Sequence, residues 1–275
     1  MPKNYYKIYV PYLFLLPSAV ILITFFFVPF VESLLLSFKS YNNDIYNPQW
    51  VGLENYINLF NAPIFWKTLL NTFIYVLGAV PALVILPLLI AIVVNRKLIG
   101  IGIFRTIIYI PVIVSLVVAG IAWKWVYAPT GWLTNPATSI YAVIFVTIWK
   151  GLGYYMVIYL AYLTTVPKDL WEAAEIDGAN TFQKHLSITI PHLMPAITLV
   201  SIISTISAMK VFVEIYVMTK GGPLDSSKTI VYYIYQRAFE NLDLGYASAA
   251  GVVLLVIIMI ISIFNLKFFE KGPIC

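Results

Sequence analysis

The sequence predicts an all-α polytopic membrane protein with six transmembrane helices, in a single domain over residues 1–275. Hydrophobic residues make up 61% of the chain and charged residues only 11%, whereas a soluble domain carries about 25% charged residues. The apolar residues fall in six long runs, each near the length of about 20 residues that a helix needs to cross a bilayer. None alternates between polar and apolar residues, so helices are favoured over barrel strands.

The predicted spans leave the charged residues mostly between them. The first run follows Lys3 and Lys7 as in a signal peptide, but it is too long and lacks a small-x-small cleavage site, so we expect an uncleaved span. A cluster of small residues from Gly245 to Gly251 predicts close helix packing at the start of the last span. The six spans are expected at residues 9–31, 69–94, 106–127, 139–163, 195–218 and 246–266.

The basic residues predict cytoplasmic N- and C-termini. With this orientation nine Lys and Arg residues lie inside and five outside, and the remaining three lie within spans, as the positive-inside rule requires. This distribution also accounts for the net charge of +5, so lipid is an expected partner and nucleic acid is not. Trp123, Trp125 and Tyr127 predict an outer interfacial belt, with Lys124 as an anchor.

The cytoplasmic segment between the fourth and fifth spans, residues 164–194, is predicted to contain a helix with defined ends. Pro167 fits its first position, and Gly178 falls where a left-handed residue stops a helix. A second short helical stretch should run on to Pro191. The first helix carries a narrow ridge of small side chains, which suits a groove on another protein. The ridge residues are Leu170, Ala173, Ala174, Asp177 and Gly178.

The same segment carries a long motif of mixed composition. Glu172-Ala173-Ala174 is followed after two residues by Asp177-Gly178-Ala179, then by Ile188 and Pro191. This pattern resembles the EAA motif of ABC-importer permeases. Similarity extends over most of the chain, and Gly221-Gly222-Pro223 resembles the carbohydrate-uptake branch related to the maltose and glycerol-phosphate permeases.

Two departures from the family pattern stand out. His185 replaces the usual aromatic residue of the coupling loop, and the external segment from Thr130 to Pro136 is shorter than its usual counterpart.

The resemblance implies a type I ABC-importer transmembrane domain in a prokaryotic cytoplasmic (inner) membrane. It implies a second homologous permease, two ABC ATPase subunits and an extracytoplasmic solute-binding protein as partners. The solute would be a sugar or a related polyol or glycerol-phosphate. The residues that it implies for coupling to the ATPase are Glu172, Ala173, Ala174, Asp177, Gly178, Ala179, Ile188 and Pro191.

The chain is not expected to be an enzyme. It contains no P-loop, so ATP and Mg²⁺ are expected on the partner ATPase and no cofactor on this chain. His185 and His192 lack an HExxH arrangement, and Cys275 is the single cysteine, so no metal site is expected.

Charged residues inside the predicted spans are candidates for the substrate path, because a charge in a bilayer costs a few kcal/mol unless it has a partner or water. Lys210 and Glu214, four residues apart, would pair on one helical face. Aromatic faces beside polar groups suit sugar binding. The alternative is a structural ion pair, with Lys150 satisfied by a neighbouring subunit. The candidates are Trp149, Lys150, Lys210, Phe212, Glu214 and Tyr216.

Three other functions stay open at this point. An ABC-importer permease for a non-sugar solute would share every feature above. An ion-coupled secondary transporter would need discontinuous helices with acidic groups near the midplane. A membrane-embedded enzyme would need a nucleophile–base pair or metal cluster within the spans.

Overall fold

The computed structural model describes residues 6–40, 48–96 and 99–270, without the side chains of residues 6–8, 168 and 268–270. Lys3 and Cys275 lie outside the described residues. Within the described residues, regular secondary structure is helical apart from one antiparallel pair of short strands, the hairpin of β1 (Lys39–Ser40) with β2 (Gln49–Trp50). The helices are α1 (Tyr6–Leu22), α2 (Val28–Leu36), α3 (Glu54–Asn61), α4 (Pro63–Val94), α5 (Ile101–Ile113), α6 (Leu116–Tyr127), α7 (Ser139–Leu163), α8 (Lys168–Ile176), α9 (Thr181–Lys184), α10 (Ile190–His192), α11 (Met194–Met209), α12 (Val213–Met218), α13 (Ile230–Tyr235) and α14 (Leu244–Glu270).

Four helical segments in the described chain are long and apolar enough to cross a membrane: Tyr9–Leu36, Pro63–Val94, Ser139–Leu163 and Leu244–Lys267. Turns of π-helix at Ile23–Phe27 join α1 to α2, so the first segment continues without a break. Two bent helix pairs bring the number to six when each pair is taken as one span. The predicted fold class, an all-α chain with six membrane-spanning segments, is therefore confirmed.

The third and fifth spans are not the continuous helices that the sequence predicts. In the third, α5 and α6 meet at an angle of 98° across Val114 and Ser115. In the fifth, α11 stops at Met209 and α12 begins at Val213, while the approach from Thr181–His192 makes a 65° bend with α11. At the break in the third span composition carries no signal, because α5 and α6 are comparably apolar.

The described chain divides into two compact units. The larger comprises residues 63–233 and 254–270. Within it, α4 packs against α7 and α11, and α7 also packs against α5. Close approach depends on small residues: a Cβ at Gly153 would lie 2.5 Å from the Ile108 carbonyl oxygen and 2.8 Å from Tyr109 Cα. Large buried side chains such as Tyr75, Met156 and Tyr159 fill the interior of this unit.

The smaller unit comprises residues 6–62 and 234–253. The Asn55 side-chain amide donates to the carbonyls of Ser37 and Lys39, both at 2.9 Å, and so holds α3 beside the hairpin. Gly245 packs so closely that a Cβ there would clash with the Lys39 carbonyl. Close packing is therefore present at Gly245, but against the hairpin and not against another helix as predicted, and nothing in the described chain lies within 4 Å of a Cβ at Gly251. The hairpin was not predicted from the sequence.

Candidate coupling segment and transport path

The first helix of the segment between the fourth and fifth spans, α8, ends as its sequence predicts. Gly178 has φ +80°, the left-handed conformation that glycine adopts without strain. The Ala179 N–H donates to the Ala174 carbonyl at 2.9 Å, and the Gly178 N–H donates to the Glu175 carbonyl at 3.1 Å. This pair of bonds is a Schellman motif, which satisfies carbonyls at a helix end. At the other end Pro167 is the N-cap in extended conformation, one residue before its predicted place.

The next helix, α9, begins with a capping box that sequence reasoning missed. The Gln183 N–H donates to Asn180 Oδ1 at 2.9 Å, and the Asn180 N–H donates to Gln183 Oε1 at 2.8 Å. The signal was available as Asn-x-x-Gln after a helix-stopping glycine. The Schellman motif and the capping box together fix the turn between α8 and α9.

The outer surface of α8 is largely exposed in the described part of the chain. Leu170 is 50% exposed and Ile176 is 87% exposed. Ala173 is exposed as well, and nothing lies within 4 Å of a Cβ built on Gly178. The predicted ridge of small and apolar side chains therefore faces outward, although Ala174 is half-buried.

Trp171 joins α8 to the segment that follows it. Its ring meets the His185 ring edge to face, with centroids 5.0 Å apart, and Lys184 Nζ lies 5.1 Å from its centroid. Lys184 is only 8% exposed and pairs with Glu175 of α8 at 3.4 Å. Sequence reasoning missed Trp171, Glu175 and Lys184. Helical periodicity does not show that residues from the two helices meet.

A cavity of about 720 Å³ lies between this segment and the C-terminal ends of α4 and α7. His185 faces this cavity. Burial and the charges of Arg96 and Lys184 lower the pKa of His185 below its ordinary value. His185 Nδ1 lies 3.2 Å from Thr189 Oγ1. The cavity is lined by Ile92, Asn95, Arg96, Leu163, Thr164, Val166, Trp171, Glu172, Thr181, His185 and Thr189.

The predicted pairing of Lys210 with Glu214 is wrong, because the helix is broken between them. Lys210 is the exposed residue that caps α11, whereas Glu214 in α12 is only 9% exposed. Glu214 Oε1 accepts a hydrogen bond from Thr147 Oγ1 at 3.4 Å, and Thr147 is also hydrogen-bonded to the Tyr75 hydroxyl. The cation that acts on Glu214 electrostatically is Lys150.

Lys150 has partners within its own chain, which neither alternative in the sequence analysis foresaw. Its ammonium donates to the carbonyls of Pro111 at 3.0 Å, Val112 at 3.1 Å and Val114 at 2.6 Å. The preceding residue, Trp149, meets the Trp123 ring edge to face at 5.4 Å.

The aromatic candidates of α12 form a cluster with a residue that the sequence did not indicate. Phe212 stacks on Tyr216 with ring centroids 5.5 Å apart. Tyr232, from α13, lies 6.3 Å from each of these rings. The structure thus groups Phe212 with Tyr216 and leaves Lys210 exposed at the helix break.

On the opposite side from the coupling segment, α4 holds the loop that follows α12. The Asn71 side-chain amide donates to the carbonyls of Asp225 at 2.8 Å and Lys228 at 3.0 Å. Lys67 Nζ donates to the Leu224 carbonyl at 2.7 Å, and the Ile230 N–H donates to Thr72 Oγ1 at 2.9 Å. This loop contains the Gly221-Gly222-Pro223 element.

The two histidines are not brought together. His192 Nε2 lies 3.1 Å from Thr165 Oγ1, whereas His185 packs on Trp171. Among residues 6–40, 48–96 and 99–270, no group of three or more His, Cys, Asp or Glu side chains could hold a metal ion.

Residues 56–271 match the family described as the binding-protein-dependent transport system inner membrane component. The chain belongs to this family. It is a permease subunit of an ABC importer, as its coupling motif predicts.

Relatives of the permease cover nearly its whole length. It is 34% identical to the arabinooligosaccharides transport system permease protein AraP of Bacillus subtilis, over 96% of this chain and 89% of AraP. It is 32% identical to the lactose transport system permease protein LacF of Rhizobium radiobacter, over 94% and 93% of the two chains. In fold, it matches a chain of a bacterial ABC transporter for import of the acidic polysaccharide alginate, with a TM-score of 0.83, 22% identity and 96% coverage of both chains.

Proposed function

We propose that this permease carries a sugar, or a related polyol or glycerol-phosphate, delivered by an extracytoplasmic binding protein. Both relatives described above are named for sugars. The cluster of Phe212, Tyr216 and Tyr232 supports the proposal, since aromatic faces stack on sugar rings and neighbouring polar groups bind hydroxyls. Trp149, Lys210 and Glu214 are the other residues proposed along the path.

The observation that carries the coupling role is the exposed ridge on α8. An outward-facing strip of small side chains, fixed at one end by a Schellman motif, suits a helix-in-groove contact with a partner. Glu172, Ala173, Ala174, Asp177, Gly178 and Ala179 would form this contact, while Ile188 and Pro191 would connect it to the fifth span.

The partners in this proposal are a second homologous permease and two ABC ATPase subunits, which hold ATP and Mg²⁺. Both termini of this chain would lie in the cytoplasm. Closure of the ATPase dimer would move α8 and shift the spans between inward- and outward-facing states. The transport cycle is then a two-state equilibrium, biased from inside by nucleotide and from outside by the loaded binding protein.

The experiment is reconstitution of this permease with its partner permease, ATPase and binding protein in proteoliposomes. Labelled arabino-oligosaccharide, lactose, glycerol and glycerol phosphate are then offered with and without ATP. ATP-dependent uptake of one of them is expected. Uptake driven by a proton or sodium gradient through this chain without the ATPase would contradict the proposal and favour a secondary transporter.

Cross-linking tests the coupling contact separately. An Ala173→Cys variant, in a background where Cys275 is replaced by Ser, is expected to cross-link to a cysteine in the groove of the ATPase. The matched control is Phe182→Cys, on exposed α9 outside the proposed ridge. Equal cross-linking at both positions would show that the ridge is not the specific contact.

A further inference from the structure

The break between α5 and α6 lies within a membrane-spanning segment and leaves backbone carbonyls without their helical donors. The last four carbonyls of any helix have no intrahelical partner, and in a bilayer core there is no water to replace it. Val114 and Ser115 are both extended at this break. The bend of 98° therefore requires a donor from elsewhere.

Lys150 supplies that donor. Its three short contacts go to Pro111 and Val112, in the last turn of α5, and to Val114 at the break itself. An ammonium group has three donor hydrogens, so all three have an acceptor here. A cation at this position also interacts favourably with the negative end of the α5 dipole.

The packing of α7 brings Lys150 within reach of the break. One turn further along α7, Gly153 lets the helices approach until its backbone touches those of Ile108 and Tyr109. Any larger residue at position 153 would push α7, and with it Lys150, away from the carbonyls.

The charge of Lys150 also connects the break to the candidate path. Glu214, on α12, interacts electrostatically with this ammonium. Thr147, one turn before Lys150 on α7, donates to Glu214. One face of α7 therefore contacts both the break in the third span and the helix that follows the break in the fifth.

We propose that Lys150 is a positioning residue. Its ammonium group donates to the free carbonyls at the break in the third span and so stabilises the bend between α5 and α6. In transporters with discontinuous helices, the carbonyls at such helix ends coordinate a free sodium ion or a proton. Here the cation is part of the chain. Lys150 therefore shapes the path without contacting the solute.

The experiment uses the assembled importer and compares Lys150→Met, Lys150→Ala and Lys150→Arg with the control Lys124→Met. Lys124 is an exposed lysine of the same bent span. We expect the Met and Ala variants to lose at least about tenfold in maximal uptake, with the solute concentration for half-maximal uptake unchanged. Arg is expected to retain uptake within about threefold, because it can donate to the same carbonyls. The control should match the parent importer.

Chemical rescue of uptake distinguishes loss of the ammonium group from a general loss of packing, because only the former can be restored by an added amine. Propylamine replaces the atoms that Lys150→Ala removes, and it is expected to restore several-fold of the lost uptake to that variant alone. A Ser115→Cys reporter, in the Cys275→Ser background, should react faster with a soluble thiol reagent in the Ala variant, and propylamine should slow it. The labelling does not depend on the identity of the solute, so it separates this proposal from the proposed substrate class.

Three results would overturn the proposal. The first is normal uptake by Lys150→Met. The second is a raised half-maximal concentration with unchanged maximal uptake, which is the behaviour of a solute ligand. The third is absence of both propylamine rescue and altered labelling in an assembled Ala variant. If Met and Ala do not assemble, assembly of Lys150→Arg supports the proposal, and its failure to assemble overturns it.

Discussion

Lys184 Nζ lies 5.1 Å from the ring centroid of Trp171, across the turn between α8 and α9. Lys184 also pairs with Glu175 on α8. A cation over an indole face contributes about 0.5–2 kcal/mol, more where water is excluded, and Lys184 is nearly buried. These contacts tie α8 to the segment that follows it.

Replacing Trp171 with Ala is expected to weaken coupling. Loss of the ring removes the contacts with both Lys184 and His185, so movement of the ATPase would be absorbed within the segment. We expect uptake to fall by about tenfold, equivalent to about 1.4 kcal/mol, with the complex still assembled. Uptake and ATPase activity of the same proteoliposomes measure this. Trp171→Phe is the control, and parental uptake by the Ala variant would contradict the role of the contact.

Substitutions at Gly178 test whether the left-handed backbone conformation at the end of α8 matters for uptake. Nothing in the described chain lies within 4 Å of a Cβ at this position, so intramolecular crowding plays no part. A β-branched residue at φ +80° is strained by about 1–2 kcal/mol, whereas Asn tolerates this region. We expect uptake to follow the order Gly, Asn, Val. Equal uptake by Gly178→Val and the parent protein would show that a larger side chain at this position disturbs neither the turn nor a contact with a partner groove.

The lowered pKa of His185 predicts that uptake depends on the pH on the side of the membrane where the coupling segment lies. Because its pKa in the packed segment is lowered, the unpacked segment binds a proton first as the pH falls. Packing is therefore fully stable above the ordinary His pKa of about 6.5 and weakens as the pH falls below it. Uptake into vesicles buffered inside at about pH 7.5 and about pH 5.5 measures the loss. His185→Phe should flatten this dependence; an unchanged profile would assign it to another group.

Gly245 and Gly251 form a matched pair for stability. A Cβ at Gly245 meets the Lys39 carbonyl and the Asn55 amide, whereas nothing lies within 4 Å of one at Gly251. Gly245→Ala is expected to destabilise the smaller unit by about 1–3 kcal/mol, while Gly251→Ala stays close to the parent. Thermal unfolding in detergent measures the difference. Equal melting temperatures for the two variants would contradict the packing of α14 against the hairpin.

Glu214 tests the candidate path. Glu214→Gln keeps an acceptor for Thr147 and removes the charge that acts on Lys150. We expect lower uptake or an altered range of accepted solutes, because a nearly buried charge in a span is costly to keep without a role. Thr147→Val, which removes the hydrogen bonds to Glu214 and to Tyr75 but keeps the Glu214 charge, is the control. Parental uptake with an unchanged solute range in the Gln variant would remove Glu214 from the path.

The coupling segment shows how far short-range patterns reach. Gly178 was predicted to stop α8, and its left-handed conformation confirms this. The capping box of Asn180 and Gln183 was readable but was overlooked. Both features join residues within five positions of each other, so the chain encodes them locally.

The candidate transport path was less predictable than the coupling segment, because its contacts join residues that are far apart in the sequence. Asn71 meets the loop at Lys228 across 157 positions, and Thr147 meets Glu214 across 67. The predicted pairing of Lys210 with Glu214 assumed a continuous helix, and the break after Met209 removed that premise.

The membrane environment, the number of spans, the EAA motif and the helix-stopping glycine can be read from the amino-acid sequence, because they depend on composition and on spacings of a few residues. The bends in two spans and the carbonyls that Lys150 satisfies follow only from how the helices pack. Hydropathy measures the preference of a segment for lipid, and it is the same for a straight span as for a bent one. The partner of a buried charge depends on which helices pack together.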